Sequence, residues 1–284
     1  MTIYAYLHTY TNAAGAEQQT LCTTFDPKFL PAGVQAQEFP DGTPLALVNG
    51  AIEPHFGAQV QKAAASALAS VKQAAAVAIE GGFSWGGNQI TLSRHDQLNN
   101  QLSLSVAGYA KANAVNWSAG LEVNPTTVLF ANGSYWEPHQ TGVTGSAEPS
   151  WVTGPVNDGS VIWEEIQFQV GTTNGNIPVN VTSALSMGAS GAKFVNEVRV
   201  QYQAAKAKIQ TLGSLPLWSA AAKLPKNAQI FVPVTGGVWQ VFKAGTTGSV
   251  APLFEQPTAG NVQDGAVVWS YQGQLADLIS QVTF

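Results

Sequence analysis

The chain contains one block of residues twice, and this repeat constrains its fold more than any other feature. The first copy, residues 133–163, includes G-S-Y-W, then G-V-T-G-S-A-E-P-S-W and D-G-S-V-I-W. The second copy, residues 236–269, includes G-G-V-W, then G-T-T-G-S-V-A-P-L-F and D-G-A-V-V-W, with three extra residues before its D-G pair. Because glycine, proline and aromatic residues match in order, we interpret the block as one small module used twice.

The matching residues predict the backbone of the module. The D-G pairs at 158–159 and 264–265 each precede an alternating apolar segment, which is typical of a hairpin turn that enters a strand. Trp163 and Trp269 end those strands, and we predict that they fill the module cores. Four shared glycines are predicted to adopt the positive φ of tight turns: Gly142, Gly145, Gly245 and Gly248.

Three segments outside the modules predict helices. The first, residues 58–80, is rich in alanine, the strongest helix former, and Gly81-Gly82 ends it. Residues 83–93 then predict a hairpin around Gly86-Gly87. The first helix has an apolar stripe at spacings of three and four residues: Val60, Ala64, Leu68, Val71, Ala75 and Ile79.

The other two helices are predicted at about 95–112 and 182–212. The second has a predicted buried face of apolar residues: Leu98, Leu102, Val106, Tyr109 and Ala112. Thr182 or Ser183 is the predicted cap of the third helix, and Gly213 follows its end. The apolar stripe of the third helix is nearly heptad, which suits packing within a bundle or across an oligomer seam: Phe194, Val198, Tyr202, Ala205, Ile209 and Leu212.

The predicted fold class is α+β, with a helical unit of three helices that one β module interrupts and the other follows. Near the N-terminus, short apolar segments alternate with turns such as Pro40-Asp41-Gly42, which predicts a β-rich region. Four domains follow from these assignments: the N-terminal attachment region, 1–57; the helical unit, 58–113 plus 171–213; the inserted module, 114–170; and the second module with a short tail, 214–284.

The composition argues against a nucleic-acid-binding protein. Charged residues make up only 10% of the chain, the net charge is −5, and the two arginines are Arg94 and Arg199, whereas a nucleic-acid surface needs clustered cations. No apolar segment reaches the roughly 18 residues that span a bilayer. The N-terminus lacks the pattern of a signal peptide. We therefore expect no nucleic-acid partner and no membrane insertion.

No residue pattern indicates catalysis, a metal site or a cofactor. The histidines lack the spacings of zinc sites, and Cys22 alone cannot build a thiolate cluster. Glu164 and Glu165 are adjacent, and neighbours on a strand point to opposite faces, so they do not form an acid/base pair. We expect a protein that is not an enzyme, with the alternative that carboxylates from distant positions converge.

Aromatic residues near the turns are the candidate binding residues. An exposed ring can stack on the C–H groups of a sugar, and polar neighbours such as Glu137 and Gln140 can bond its hydroxyl groups. The alternative is that the rings pack the small β core. The candidate glycan platform consists of Tyr135, Trp136, His139, Trp151 and Trp239.

The pattern N-G-S-Y-W…G-V-T-G-S-A-E-P-S-W…V-N-D-G-S-V-I-W resembles a small module that recurs in bacteriophage tail and virion proteins. It is also distantly similar to the small chitin-binding type of carbohydrate-binding module. Residues 58–113, together with V-N-V-T-S-A-L-S-M and V-Q-Y-Q-A-A-K-A-K-I, resemble an uncharacterised domain of phage tail-fibre proteins. The second copy departs from the module pattern, since Val238 replaces Tyr135 and Phe254 replaces Trp151.

These resemblances imply a structural or adhesive component of a phage or prophage-derived tail, such as a fibre, baseplate-peripheral or receptor-binding protein. Its partners would be other tail and virion proteins, further copies of itself as a homo-oligomer, and host surface polysaccharide. It would be made in the bacterial host cytoplasm and reside in the virion tail. The alternatives are a stand-alone bacterial carbohydrate-binding module protein and a tail-associated glycan hydrolase.

Overall fold

The computed structural model describes residues 2–40, 45–48, 51–152, 154–254 and 261–284. The chain forms two compact units, one made of residues 1–72 and 203–284 and the other of residues 73–202. These borders differ from those of the four predicted domains. Two features predicted from the sequence, the turn at Asp41-Gly42 and the site of the three extra residues in the second copy, lie outside the described residues.

The N-terminal region consists of short antiparallel strands. β1 is the central strand of a sheet in the order β2-β1-β3, and β4 pairs with β5 as a hairpin. Ile3 and Ala5 of β1 are buried on one face of the sheet. The elements are β1 (Thr2–Thr11), β2 (Glu17–Thr24), a 3-10 helix (Pro27–Phe29), β3 (Gln37–Pro40), β4 (Leu45–Val48) and β5 (Ala51–Pro54).

Two helices and a tight hairpin follow. The first helix ends where Gly82 adopts a φ of 77°, as its glycine pair predicted. Gly86 and Gly87 both have positive φ and form the two-residue loop of the predicted hairpin. Ser93 caps the second helix, because its hydroxyl accepts a hydrogen bond from the Asp96 amide. The elements are α1 (Gly57–Gly81), β6 (Phe83–Trp85), β7 (Asn88–Ile90) and α2 (Arg94–Asn113).

The first repeat, which we call module 1, is a small twisted sheet with a two-stranded ladder beside it. The sheet order is β13-β14-β11-β10-β8, and β12 pairs with β9. The strands are β8 (Val115–Asn116), β9 (Glu122–Val123), β10 (Leu129–Ala131), β11 (Ser134–Gln140), β12 (Gly142–Val143), β13 (Val156–Asp158) and β14 (Val161–Glu165).

After module 1 the chain returns to the hairpin beside α2. β15 (Gln167–Thr172) and β16 (Gly175–Asn180) extend that hairpin into a sheet in the order β16-β15-β7-β6, and α3 (Val181–Gly213) follows. The α3 cap is Asn180, whose side chain accepts a hydrogen bond from the Ser183 amide. The predicted caps Thr182 and Ser183 are wrong because the helix begins one residue earlier, at Val181.

The second repeat, module 2, has the same topology as module 1. Its sheet order β18-β19-β22-β21 matches β10-β11-β14-β13, and its ladder β17-β20 matches β9-β12. The prediction that the copies share one fold is confirmed. The elements are β17 (Lys223–Leu224), β18 (Gln229–Val232), β19 (Gly237–Lys243), β20 (Gly245–Thr246), β21 (Asn261–Asp264), β22 (Val267–Gln274) and α4 (Leu275–Ser280).

The predicted arrangement of a helical unit interrupted by a module is wrong. The segment between module 1 and the third helix is the β15–β16 hairpin, and it shares one core with parts of α2 and α3. α1 and α3 each contribute residues to both compact units rather than forming a unit of their own. The described chain is α+β, with several sheets and four helices.

The predicted buried face of α2 is also wrong. Leu98 and Leu102 are 62% and 66% exposed, and Val106, Tyr109 and Ala112 are exposed as well. The buried side of α2 has smaller side chains: Asn100, Ala107 and Ala110. Ala107 and Ala110 face the core that α2 shares with β15, so the larger apolar side chains point away from it.

The apolar stripes of the other two long helices are confirmed as their buried sides. Val60 and Val71 of α1 are buried, as are Val198, Ala205 and Ile209 of α3. Within the described ranges, no helix is both long and apolar enough to cross a membrane.

Candidate functional site: the outer face of module 1

A buried aspartate holds each module together from within. The Asp158 carboxylate accepts hydrogen bonds from the indole Nε1–H of Trp117 at 2.8 Å and of Trp163 at 3.3 Å. Its other oxygen accepts the Gly145 amide at 2.7 Å. Since Asp158 is 3% exposed, these donors replace the water that the carboxylate loses on folding.

Module 2 repeats this network atom for atom. The Asp264 carboxylate accepts from Trp218 at 2.7 Å, from Trp269 at 3.0 Å and from the Gly248 amide at 2.6 Å. Asp158 and Asp264 are the aspartates of the two D-G pairs, and these pairs form the predicted hairpin turns. The sequence repeat therefore encodes a polar core as well as a backbone path.

A buried threonine ties the two-stranded ladder of each module to the loop before it. Thr144 donates to the Ser118 carbonyl at 2.7 Å and accepts the Leu121 amide at 2.8 Å. Thr247 of module 2 makes the same pair of bonds with the Ser219 carbonyl and the Ala222 amide. Both copies thus satisfy a buried hydroxyl in the same way.

The glycines near these networks are required for space rather than for positive φ. Gly142, Gly145, Gly245 and Gly248 are absent from the residues with positive φ, so that prediction is wrong. A β-carbon at Gly245 would lie 2.6 Å from the Ala266 carbonyl oxygen, and one at Gly248 would lie 2.9 Å from the Asp264 carboxylate. The positive φ belongs instead to the turn glycines Gly159 and Gly265.

Three of the predicted platform residues belong to the cores of the modules. Trp136 is 3% exposed and Trp239 is fully buried, so neither presents a ring face to a ligand. Trp151 is half-buried with its ring centroid 5.0 Å from that of Trp136, while its indole donates to Glu148. The core positions predicted for Trp163 and Trp269 are confirmed, since both rings are fully buried.

The opposite face of the module 1 sheet brings the other two predicted residues together with new ones. Tyr135 lies directly across from Phe130 on β10, and their ring centroids are 4.9 Å apart. Phe130 is 39% exposed, and Tyr135 is half-buried against the neighbouring core. The two rings form an aromatic patch on an otherwise polar surface, and the contact of Tyr135 with the core supports this patch.

Charged side chains continue this surface along the sheet. Glu137 on β11 lies directly across from Glu164 on β14, on the face opposite to Trp136 and Trp163. His139 follows at a β-bulge, and its Nδ1 is 3.6 Å from the Glu164 carboxylate. We call the set Phe130, Tyr135, Glu137, His139 and Glu164 the outer face.

The outer face carries an unfavourable electrostatic pair. Like charges directly opposite on neighbouring strands destabilise a sheet by a few tenths to about 1 kcal/mol, and both Glu137 and Glu164 are exposed. The imidazole of His139 can offset part of this repulsion when it is protonated. Chemically, the surface offers two ring faces, four carboxylate oxygens and an imidazole, which suit stacking and hydrogen bonding to a polyhydroxylated ligand.

Module 2 has no comparable surface at the equivalent positions. Val238 replaces Tyr135 and is fully buried, and Phe231 replaces Phe130 at 8% exposure. Gln240 and Ser270 occupy the places of the two facing glutamates. The apolar strand positions of module 2 therefore serve packing, whereas those of module 1 leave a face open.

Sequence reasoning identified Tyr135 and His139 but missed Phe130 and Glu164 as members of one surface. The signal was the two-residue alternation of strands: residues next to core tryptophans on β11 and β14 point outward. Phe130 required the register of β10 with β11, which the sequence does not give. No cluster of His, Cys, Asp or Glu that could hold a metal ion occurs among the described residues.

Comparisons with protein families, with curated proteins and with solved structures found no match to this chain.

Proposed function

We propose that the chain is a non-enzymatic adhesive protein whose module 1 binds glycan through the outer face. The observation that carries this proposal is the difference between two copies of one fold. Both keep the Asp–Trp network, but only module 1 has an open surface of aromatic rings beside facing carboxylates. A sheet gains nothing in stability from placing Glu137 across from Glu164, and a ligand that accepts or donates hydrogen bonds there would offset that cost.

The chemistry of the face favours a neutral or amino sugar over an acidic one. Carboxylates accept hydrogen bonds from hydroxyl or ammonium groups and repel other anions. The rings of Phe130 and Tyr135 supply an apolar surface for the C–H side of a pyranose. The net charge of −5 likewise disfavours a strongly anionic polymer.

The resemblance of the repeats to virion modules supports placing this adhesin in a phage or prophage-derived tail. Binding by one copy would be weak, and a tail displays several copies of its proteins at once, so avidity would supply the useful affinity. The exposed apolar stripe of α2 supports self-assembly of such copies. Its residues 97–110 contain no charged side chain, so two copies that pair there place no like charges opposite each other.

The test is adsorption of purified protein to host cells or a glycan array, with variants matched for fold. Tyr135→Ala and Phe130→Ala are expected to weaken binding about 5- to 150-fold, taking about 1–3 kcal/mol per stacking ring from base–aromatic platforms. Phe242→Ala is the matched control, because Phe242 is 60% exposed at the module 2 position equivalent to His139. We expect it to retain full binding.

The same assay separates adhesion from hydrolysis. If bound glycan releases reducing ends, and Glu137→Gln abolishes that release, the facing carboxylates act as catalysts and the tail-associated hydrolase is the correct function. Unchanged adsorption in both ring variants, with native circular dichroism, would contradict the proposed site.

A further inference from the structure

A second candidate site is formed by residues that are not part of the outer face. A groove of about 510 Å³ runs between α2 and α3 within residues 73–202. Its floor consists of Phe83, Leu104 and Met187. This size and this apolar floor are typical of sites for small organic ligands.

Two glycines of α3 bring the helix close to this floor. A β-carbon at Gly188 would overlap the side chain of Leu104, and one at Gly191 would lie 3.0 Å from the Phe83 ring. Larger residues would push α3 away or fill the groove. The depth of the groove is therefore specified by the absence of side chains at these two positions.

Asn100 is an unpartnered polar group in this apolar setting. It lines the groove and is only 8% exposed, yet its side-chain amide makes no hydrogen bond within the described part of the chain. Its amide atoms are not fully shielded from solvent, so they can bond water in the open groove and exchange that water for a ligand. The side-chain amide of Gln97, by contrast, already has a hydrogen-bond partner, because it donates to the Leu92 carbonyl at 2.6 Å.

Arg199 supplies a cation at the same groove. It lines the groove from α3 and forms no ion pair with any described residue, while Lys193 and Glu197 on the same helix pair with each other at 4.0 Å. Among the described residues, no other charged side chain lines the groove. An apolar floor, a free guanidinium and an amide that opens into the groove are complementary to an amphipathic anion.

We propose that this groove binds a carboxylate with an unbranched apolar body, as in a medium-chain fatty acid. The alkyl chain lies on Phe83, Leu104 and Met187. The carboxylate accepts hydrogen bonds from the Arg199 guanidinium and the Asn100 amide. This site is independent of the proposed glycan face, and either can fail without the other.

The experiment is a titration of the full chain with octanoate, followed by amide NMR signals and calorimetry. We expect shifts centred on Gly188 and Gly191 and a Kd at or below about 1 mM, as the size of the ligand allows. Arg199→Gln is expected to weaken octanoate binding about tenfold. The matched control is Arg94→Gln, which removes the other arginine of the chain and should change binding less than about twofold.

Two further arms keep the proposal open to contradiction. Asn100→Leu should weaken octanoate binding without lowering thermal stability, because the volume is similar and the amide forms no hydrogen bond with the described residues that the substitution would break. 1-Octanol, with the same alkyl chain and no charge, should bind more weakly than octanoate. Equal affinity for the two ligands, equal effects of both arginine variants, or shifts that avoid Gly188 and Gly191 would each overturn the assignment.

Discussion

The indole of Trp117 donates to the carboxylate of Asp158 at 2.8 Å across 41 residues of sequence, and both lie within module 1. Trp218 and Asp264 make the equivalent bond at 2.7 Å in module 2. Because the relationship recurs in both copies, we expect the stability of each module to depend on it.

Asp158→Asn is expected to destabilise module 1 by about 2–3 kcal/mol, because an amide cannot accept from all three donors and leaves at least one of them buried without a partner. Asp264→Asn should do the same to module 2. Hydrogen exchange of strand amides measures the free energy of opening for each module separately. Glu122→Gln removes one negative charge, as Asp158→Asn does, but from an exposed side chain of module 1. It should leave hydrogen exchange unchanged. Similar exchange in all three variants would show that the carboxylate is dispensable.

Trp136→Phe and Trp239→Phe should differ although the two tryptophans are structurally equivalent. The indole of Trp136 donates to the Ala131 carbonyl at 3.2 Å, whereas the buried indole nitrogen of Trp239 has no partner among the described residues. Both variants lose ring volume, but only Trp136→Phe loses a hydrogen bond, so it should cost about 1–2 kcal/mol more. Urea unfolding of the two variants measures the difference. A larger loss in Trp239→Phe would contradict this account.

Gly245→Ala and Gly108→Ala should change stability in opposite directions. A β-carbon at Gly245 would meet the Ala266 backbone, which cannot move aside, so we expect a loss of about 2 kcal/mol or more. Gly108 lies inside α2, where an added β-carbon would meet no atom within 4 Å, so alanine should stabilise the helix by about 0.5–1 kcal/mol. Thermal unfolding followed by circular dichroism tests both. A stabilising Gly245→Ala would show that the close approach is not rigid.

Acid should weaken the start of α2 through Asp96. Hydrogen bonds from Ser93 and from Thr91 lower the pKa of the Asp96 carboxyl below its ordinary value. Because the folded pKa is the lower one, this stabilisation is fully present above the unfolded pKa of about 3.9 and is lost as the pH falls through the folded value. Between pH 7 and pH 3, wild type should therefore lose more stability than Asp96→Asn. Parallel pH profiles would contradict this.

Ser93→Ala tests the same cap at neutral pH. It removes the hydroxyl that accepts the Asp96 amide and donates to the Asp96 carboxylate, and we expect a loss of about 1 kcal/mol. Ser105→Ala is the matched control, since Ser105 is exposed inside α2 and bonds only the carbonyl four residues earlier. Urea unfolding should separate the two variants.

The repeat predicted the fold of the modules because glycines, prolines and core tryptophans fix a local backbone path. The helix α1 followed in the same way from its alanine content and the glycine pair at its end. The orientation of α2 could not be predicted in this way, because its core contacts use Ala107 and Ala110 while Leu98 and Leu102 face outward. Periodicity assigns the larger apolar residues to the core, and close packing against a neighbouring sheet reverses that choice.

Only part of the candidate site was within reach of the sequence. Tyr135 and His139 were identified as polar or aromatic residues near a repeated tryptophan, but Trp136 and Trp239 looked the same in sequence and are buried. Phe130 joins the face only through the pairing of β10 with β11, and Glu164 through its pairing with Glu137. Such long-range pairings depend on the tertiary fold, which the pattern of a single sequence does not specify.

The Asp158 and Asp264 networks have a consequence for the conditions in which the modules stay folded. Each joins the first segment of a module to its last hairpin, as a covalent cross-link would, but by hydrogen bonds inside an aromatic core. With one cysteine in the chain, neither module can gain an internal disulfide. Thiol reductants therefore break no bond within either module. Each module keeps the same core contacts in reducing and in oxidising surroundings.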